Sequence, residues 1–283
     1  MTDFVETQVS GVSPEISRSW LLVSARDREA FTPAADSRAD QIILDLEDGV
    51  DPSHKVQARR HVLDWFAAGG SGWVRINDRT SAFWSDDVDA LRGNPALRGV
   101  MLAKSESAGD VTETYDRLGG GTTRVIALVE SAVGIEHAVE IAGARGIFRL
   151  AFGSGDYRRD TGTAATDLAM AYPRSRLVVA STIGKLPGPI DGPTVSTSYP
   201  VLREQSEIAV SLGLTGKLCL DIDQLPVINE SISPTASDVT WARDFLADFD
   251  ARGGVIRDGS DPPRLGRARK IDTLARAFGI KPH

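Results

Sequence analysis

The side chains best suited to chemistry stand at the ends of short apolar runs. Asp45, Glu47 and Asp48 fall at or just after the end of the run 41–46; Arg75 and Asn77 close the run at 73–76. Lys104 follows 99–103, Glu130 follows 124–129, and Asp156 comes just after 147–152. Glu130 and Asp156 belong to neighbouring runs, so their carboxylates can converge on one ion. One or two carboxylates, completed by water and substrate oxygens, are how proteins commonly hold Mg²⁺. Zinc is disfavoured: His54, His61, His137 and His283 are not paired at ligand spacing, and none ends an apolar run. Arg75 offers a planar fork for a substrate carboxylate or a developing enolate oxygen. Its spacing serves equally well for an internal pair with Asp45 or Glu47, and the two roles are compatible.

Any one of these charges alone reads more simply as a helix cap or a solvated group. What makes them a site is the framework that must carry them. Strand-like runs at 20–23, 41–46, 73–76, 99–103, 124–129, 147–152, 189–190 and 217–220 alternate with helical stretches such as 55–66 and 132–142. That alternation predicts successive β-α units and a parallel sheet. About eight units favour a closed barrel over an open sheet. The expected fold is therefore α/β, a single (β/α)8 TIM barrel over 18–235, with a loose or disordered tail at 1–17. A C-terminal extension over 236–283 carries helices at 236–249 and 263–278, separated by a Gly- and Asp-rich lid segment at 252–261. In a parallel barrel every strand ends on the same rim, where the β-α loops build the active site. Five strand ends then deliver their charges to one mouth.

Composition narrows the function classes. Hydrophobic residues at 41% and charged residues at 25% suit a globular chain with a sizeable core. A net charge of −7 argues against a nucleic-acid surface, and the basic residues of 264–270 are spaced as a solvated helix face. The single cysteine, Cys219, excludes an internal disulfide and suits a reducing cytoplasm. Within Leu218-Cys219-Leu220 it reads as a buried small hydrophobe. No apolar stretch approaches the roughly 18 residues of a membrane span. Residues 1–17 lack the basic and apolar regions of a signal peptide.

The ordered motifs resemble the citrate lyase β-subunit-like family, within the HpcH/HpaI aldolase and citramalyl-CoA or malyl-CoA lyase superfamily. Arg18-Ser19-Trp20-Leu21-Leu22-Val23 is similar to its opening strand. Asp45-Leu46-Glu47-Asp48-Gly49-Val50, followed by Lys55 and Ala58-Arg59, is similar to its most specific motif. Val74-Arg75-Ile76-Asn77 resembles the strand that carries a substrate arginine. Leu128-Val129-Glu130-Ser131-Ala132 and Phe152-Gly153-Ser154-Gly155-Asp156 resemble the two strand ends that bear metal ligands. Ile190-Asp191-Gly192-Pro193 and Gly213-Leu214-Thr215-Gly216-Lys217 continue the series in order.

The resemblance implies a Mg²⁺-dependent carbon–carbon lyase. It would cleave a 3-hydroxyacyl-CoA of the citryl-, citramalyl- or malyl-CoA type to a 2-oxo acid and an acyl-CoA. Glu130 and Asp156 would be the metal ligands, and Arg75, Glu130, Ile190 and Asp191 would contact substrate. Asp45, Glu47, Asp48 and Lys104 would stand behind them, with Asp45 or Asp48 holding a metal-bound water. Asp261-Pro262-Pro263, with Arg267-Ala268 and Ile271, resembles a tail motif whose aspartate is a general acid/base. In relatives that tail completes a neighbouring subunit's site, which implies a homotrimer or hexamer. Asp261 suits a plain helix cap as well.

The chain departs from the family at Ser24-Ala25, Ala103-Lys104 and Asp221-Ile222, and at Glu29 and Pro33 where basic residues would hold CoA. The metal side is kept while the nucleotide side is altered. Two further readings follow, a CoA-independent aldolase releasing pyruvate or oxaloacetate, and a non-catalytic accessory subunit of a lyase complex.

Overall fold

Eight short parallel strands form a closed barrel in the computed structural model, which describes residues 11–282. In chain order they are β1 (Ser19–Ser24), β2 (Gln41–Asp45), β3 (Gly72–Ile76), β4 (Leu97–Leu102), β5 (Val125–Val129), β6 (Ile147–Phe152), β7 (Ile190–Asp191) and β8 (Gly216–Cys219). Each pairs with its sequence neighbours, and β1 closes against β8 through Trp20 and Leu218. The helices are α1 (Phe31–Ala35), α2 (Lys55–Ala67), α3 (Trp84–Leu91), α4 (Ala108–Arg117), α5 (Ala132–Glu136), α6 (Ala138–Ala142), α7 (Ser154–Thr161), α8 (Asp167–Ile183), α9 (Tyr199–Ser211), α10 (Leu225–Ile232), α11 (Ala236–Ala251) and α12 (Asp261–Phe278). None of the described helices is long and apolar enough to cross a membrane.

Every strand supplies the barrel's interior. Trp20, Ile43, Trp73, Met101, Ile126, Leu128, Ala151, Ile190 and Leu218 form one buried cluster. Trp20 and Trp73 meet edge to face at 5.3 Å, and Phe148 stacks on Trp73 at 5.5 Å. Their indole N–H groups are satisfied by Ser17 O and Gln41 Oε1. Removing either indole would cost about 3–5 kcal/mol, as large-to-small changes in packed cores do. Gly99 is required here, because at φ +156° a Cβ would stand 2.4 Å from the Trp73 ring.

Strand parity carries this core pattern up to the rim. Side chains two residues apart share a face, so Asp45 follows Ile43, Arg75 follows Trp73 and Glu130 follows Leu128 on the inward side. The expected alternation thus does deliver these charges to one mouth.

The other pole corrects the expected loose tail. Arg149, wholly buried, donates to the carbonyls of Pro14 and Ser17 at 3.2 Å, to Gly188 O at 2.6 Å and to Thr215 Oγ1 at 2.8 Å. Gln41 Nε2 reaches Val12 O at 3.0 Å. Residues 12–17 are therefore bound against the barrel floor, because a buried guanidinium needs acceptors and backbone carbonyls supply them. The part of the expected tail at 1–10 lies outside the described residues.

Two elements differ locally from expectation. The single helix expected at 132–142 is broken at His137, whose ring Nδ1 bonds Glu106 O at 2.9 Å. The strand expected at 189–190 is Ile190–Asp191, only two residues long.

The chain divides into two compact units, Met1–Ser231 and Ile232–His283. The second is a helical hairpin of α11 and α12. Ala242, Phe245, Phe249 and Ala268 form its buried seam. Thr235 and Asp238 make a reciprocal capping box at the start of α11, and Gly279 ends α12 in the left-handed conformation.

Candidate active site

The mouth is organised around Glu130, which is 5% exposed. Its Oε1 accepts from the Lys104 backbone N–H at 2.8 Å. Lys104 reaches this position with φ 47°, a left-handed conformation unusual for a side-chain-bearing residue. Gly153 makes the opposite wall, where a Cβ would stand 2.2 Å from Glu130 Oε2. Burial pushes the Glu130 carboxyl up to about 8; the Lys104 N–H works against that shift, while Glu47 and Asp156 add to it.

Asp156 sits on the first turn of α7, next to this carboxylate. Its Oδ2 is buried yet receives no hydrogen bond. Arg159 NH2 lies 3.1 Å away and Lys104 Nζ 3.9 Å away, at ion-pair range only. A buried anionic oxygen without a donor is costly unless a cation completes it. Among the described residues no three His, Cys, Asp or Glu side chains are gathered for a metal. Two carboxylates beside an open cleft of about 410 Å³ still suit a hard divalent cation that keeps several waters and substrate oxygens. Glu130 and Asp156 fit that role.

On the other side of the mouth, Arg75 is gripped by Asp45. Its Nε and NH2 donate to the two Asp45 oxygens at 2.7 Å, and its NH1 stands 3.2 Å from Glu47 Oε2. Burial works against the guanidinium's charge, but Asp45 and Glu47 outweigh it and raise its affinity for the proton. Asp45 is held in turn by the N–H groups of Glu47 and Gly49. At Gly49 a Cβ would lie 2.3 Å from Asp45 Oδ2, so the loop can wrap this closely only with glycine there. Glu47 also bonds Lys104 Nζ, a contact that overcomes burial and raises the ammonium's proton affinity. Asp48 is mostly exposed, 3.7 Å from Lys104.

A buried chain of contacts braces this loop from behind. Lys55 Nζ donates to Leu46 O at 2.6 Å, Glu47 O at 2.8 Å and Asn77 Oδ1 at 2.9 Å. Asn77 donates to Asp87, and Arg59 grips Asp87 at 2.9 Å. Motif matching picked out Lys55 without giving it a role, and Asp87 carried no signal. Glu106, Ser131, Arg159 and Asp160 also line the cleft. For Arg159, its place one helical turn after Asp156 was the available signal.

Two expected substrate contacts are corrected. Ile190 points inward to the barrel core, and parity sends Asp191 the opposite way, into the wall. Asp191 is fully buried, with its carboxylate shared between Arg174 Nε and Lys217 Nζ, each at 2.8 Å. Burial resists its ionisation, but those two cations win and hold the carboxyl below its ordinary range. Neither side chain is presented to the mouth.

Asp261 opens α12 in the helical hairpin. Its Oδ2 accepts from Arg257 N–H at 2.8 Å and Arg252 NH1 at 3.2 Å. The Arg257 N–H and the Arg252 guanidinium hold this carboxyl below the usual range. Within its own unit it therefore clamps the loop 252–261.

Comparison with known proteins identifies the family and the fold. Residues 18–221 match the family described as HpcH/HpaI aldolase/citrate lyase, and residues 237–279 match the HpcH/HpaI aldolase C-terminal domain. A citrate lyase subunit beta-like protein of Mycobacterium tuberculosis is 33% identical, covering 92% of this chain and 95% of its own. The L-malyl-CoA/beta-methylmalyl-CoA lyase of Cereibacter sphaeroides is 30% identical, covering 78% and 80%. The crystal structure of CitE from Mycobacterium tuberculosis with magnesium, acetoacetate and coenzyme A superposes with a TM-score of 0.77 at 29% identity, covering 94% of this chain and 99% of that one. The chain belongs to the HpcH/HpaI aldolase/citrate lyase family, a family of lyases.

Proposed function

We propose that this chain is a Mg²⁺-dependent carbon–carbon lyase that splits a 3-hydroxyacyl-CoA of the citryl-, citramalyl- or malyl-CoA type into a 2-oxo acid and an acyl-CoA. The observation that carries the reading is the Asp156 oxygen, buried and without a hydrogen bond beside Glu130. These two residues would hold the ion, which supplies Lewis-acid polarisation of the substrate oxygens. Arg75, fixed edge-on by Asp45 with NH1 beside Glu47, would offer its guanidinium to a carboxylate or an enolate oxygen. Lys104 positions Glu130 through its backbone and Glu47 through its ammonium. Asp261 of a neighbouring copy would take the substrate hydroxyl proton as that oxygen forms the carbonyl, while the breaking C–C bond leaves its electron pair on the enolate half. That half then needs a proton, the role Asp261 of a neighbouring copy would fill in a homotrimer or hexamer. The single buried thiol suits work in the cytoplasm.

A CoA-independent aldolase is the second reading, favoured by the exposed acids Asp221 and Asp223 beyond β8, which would repel a polyanionic nucleotide bound beside them. The intact Glu130, Asp156 and Arg75 do not favour an accessory subunit without catalysis.

Calorimetric titration of Mg²⁺, followed by oxaloacetate, tests the site directly. Glu130→Gln is expected to abolish the Mg²⁺-dependent binding of the oxo acid and leave the circular dichroism unchanged. Binding as tight as wild type in that variant would refute the metal assignment.

A further inference from the structure

Among the described residues, Arg75, Lys104 and Arg159 stand around Glu130 and Asp156, and the first two are committed. Arg75 spends its Nε and NH2 on Asp45, and Lys104 is bound to Glu47. Arg159 differs. It lies on α7 one turn beyond Asp156, its side chain is 70% exposed, and it lines the same cleft as Glu130 and Asp156. Among the described residues its ion-pair partner is Asp156 Oδ2 at 3.1 Å, an approach that leaves that oxygen without a hydrogen bond. Asp160, which also lines the cleft, is occupied with the Ala132 N–H at 2.8 Å. Arg159 is thus a cation loosely parked on an oxygen that a divalent ion would claim more strongly.

An ion pair whose arginine is exposed and makes no aligned hydrogen bond is readily exchanged. A divalent ion on Asp156 would break the pair twice over, by taking the oxygen and by repelling the guanidinium. The displaced Arg159 would then stand at the edge of the cleft with a planar fork and no carboxylate. Planar forks recognise carboxylates bidentately. A 2-oxo acid that reaches the ion through its oxo group and adjacent carboxylate would leave any second carboxylate pointing away from it, toward the rim.

We propose that Arg159 is a specificity-determining residue, holding the Asp156 oxygen until a divalent cation displaces it and then binding the distal carboxylate of a dicarboxylic oxo acid. The inference rests on the metal reading above and deepens it, selecting substrates whose oxo-acid half carries two carboxylates over those that yield pyruvate. It also makes binding ordered, since the fork is released only when the ion arrives.

Arg159→Met tests both halves by calorimetry, without turnover. Mg²⁺ alone is expected to bind the variant about three- to tenfold more tightly than wild type, because a competing cation is gone. At saturating Mg²⁺, oxaloacetate should bind the variant about tenfold or more weakly, as loss of a charge-assisted pair implies. Pyruvate, lacking the second carboxylate, should bind both proteins within about twofold. Arg159→Lys keeps the charge without the fork and should fall between. Unchanged or weaker Mg²⁺ binding in Arg159→Met would overturn the exchange. Parallel losses for oxaloacetate and pyruvate, or no loss for either, would overturn the specificity role. Wild-type protein that binds no Mg²⁺ would overturn this proposal and the metal reading together, whereas the preceding failures leave the metal reading standing.

Discussion

Arg75 and Asp45 face each other edge to edge, Nε and NH2 each 2.7 Å from one carboxylate oxygen. The pair comes from adjacent strands in direct register. A lysine at position 75 would keep the charge and lose the two parallel bonds, and with them the fixed planar fork. Arg75→Lys is expected to lower kcat/KM by about 100-fold or more, comparable to removing an oxyanion donor. Steady-state kinetics with the cleaved thioester or free hydroxy acid would read this. An unchanged value would assign Arg75 to bracing Asp45 and Glu47 alone.

The Lys55 ammonium concerns the same loop from its buried side. Its three protons meet three acceptors, the carbonyls of Leu46 and Glu47 and the amide oxygen of Asn77. Lys55→Met removes the donors and strands buried acceptors, although Leu46 O keeps the Asn77 amide. The expected loss is about 2–3 kcal/mol in urea denaturation. Glu47 should loosen with its backbone, so oxo-acid affinity should fall while Mg²⁺ affinity, set by Glu130 and Asp156, holds. Equal affinities for both ligands in a destabilised variant would limit Lys55 to stability.

Much of this was legible before the fold was known, and the reason is parity. Asp45, Arg75 and Glu130 each follow an apolar strand residue by two positions, so the strand pattern itself aims them at the mouth. Ile190 and Asp191 were misjudged for the same reason reversed. A strand of two residues gives no alternation to read, and a one-residue error turns a side chain from the mouth to the wall. The Lys55–Asn77–Asp87 bracing was not legible, because its partners are joined only by the packing of α2 and α3 on β3. Arg149 likewise found its acceptors in residues 14–17 and 188, far from it in sequence.

Asp191 itself gives a prediction about acid stability. It is wholly buried with Arg174 and Lys217, and these two cations rely on it. Asp191→Asn would leave two buried positive charges without a counter-charge, at a cost of about 3–5 kcal/mol. Its folded carboxyl titrates below the unfolded range of about 4, so the stabilisation is present above that value and is lost only as pH falls through the folded value. The gap between wild type and variant in chemical denaturation should therefore be constant from about pH 7 to pH 5. A gap that closed steadily across that neutral range would show that another group controls the triad.

The last prediction concerns Asp261, for which the structure and the family resemblance suggest different roles. Inside the helical hairpin, its carboxylate ties Arg252 and Arg257 together and is nearly inaccessible at 1% exposure. Those contacts favour the ionised form, which suits a proton acceptor better than a donor. To protonate an enolate it would have to leave Arg252 and gain a proton in a dry site, as a closing lid can arrange. Asp261→Asn keeps an oxygen for the Arg257 N–H but removes the ion pair and the acid. If the residue is only a clamp, the variant should be cut more readily by protease at 252–260 and retain activity in proportion to its folded fraction. If it supplies the proton, kcat should fall about 100-fold or more with the fold intact. Mixing inactive Asp261→Asn chains with inactive Glu130→Gln chains separates a shared site from a private one. Sharing restores activity, because one interface in the mixed oligomer combines an intact Glu130 with an intact Asp261. We expect that recovery, together with a trimer or a multiple of one in light scattering. A mixture that stays inactive after verified subunit exchange would leave Asp261 as a clamp within its own hairpin.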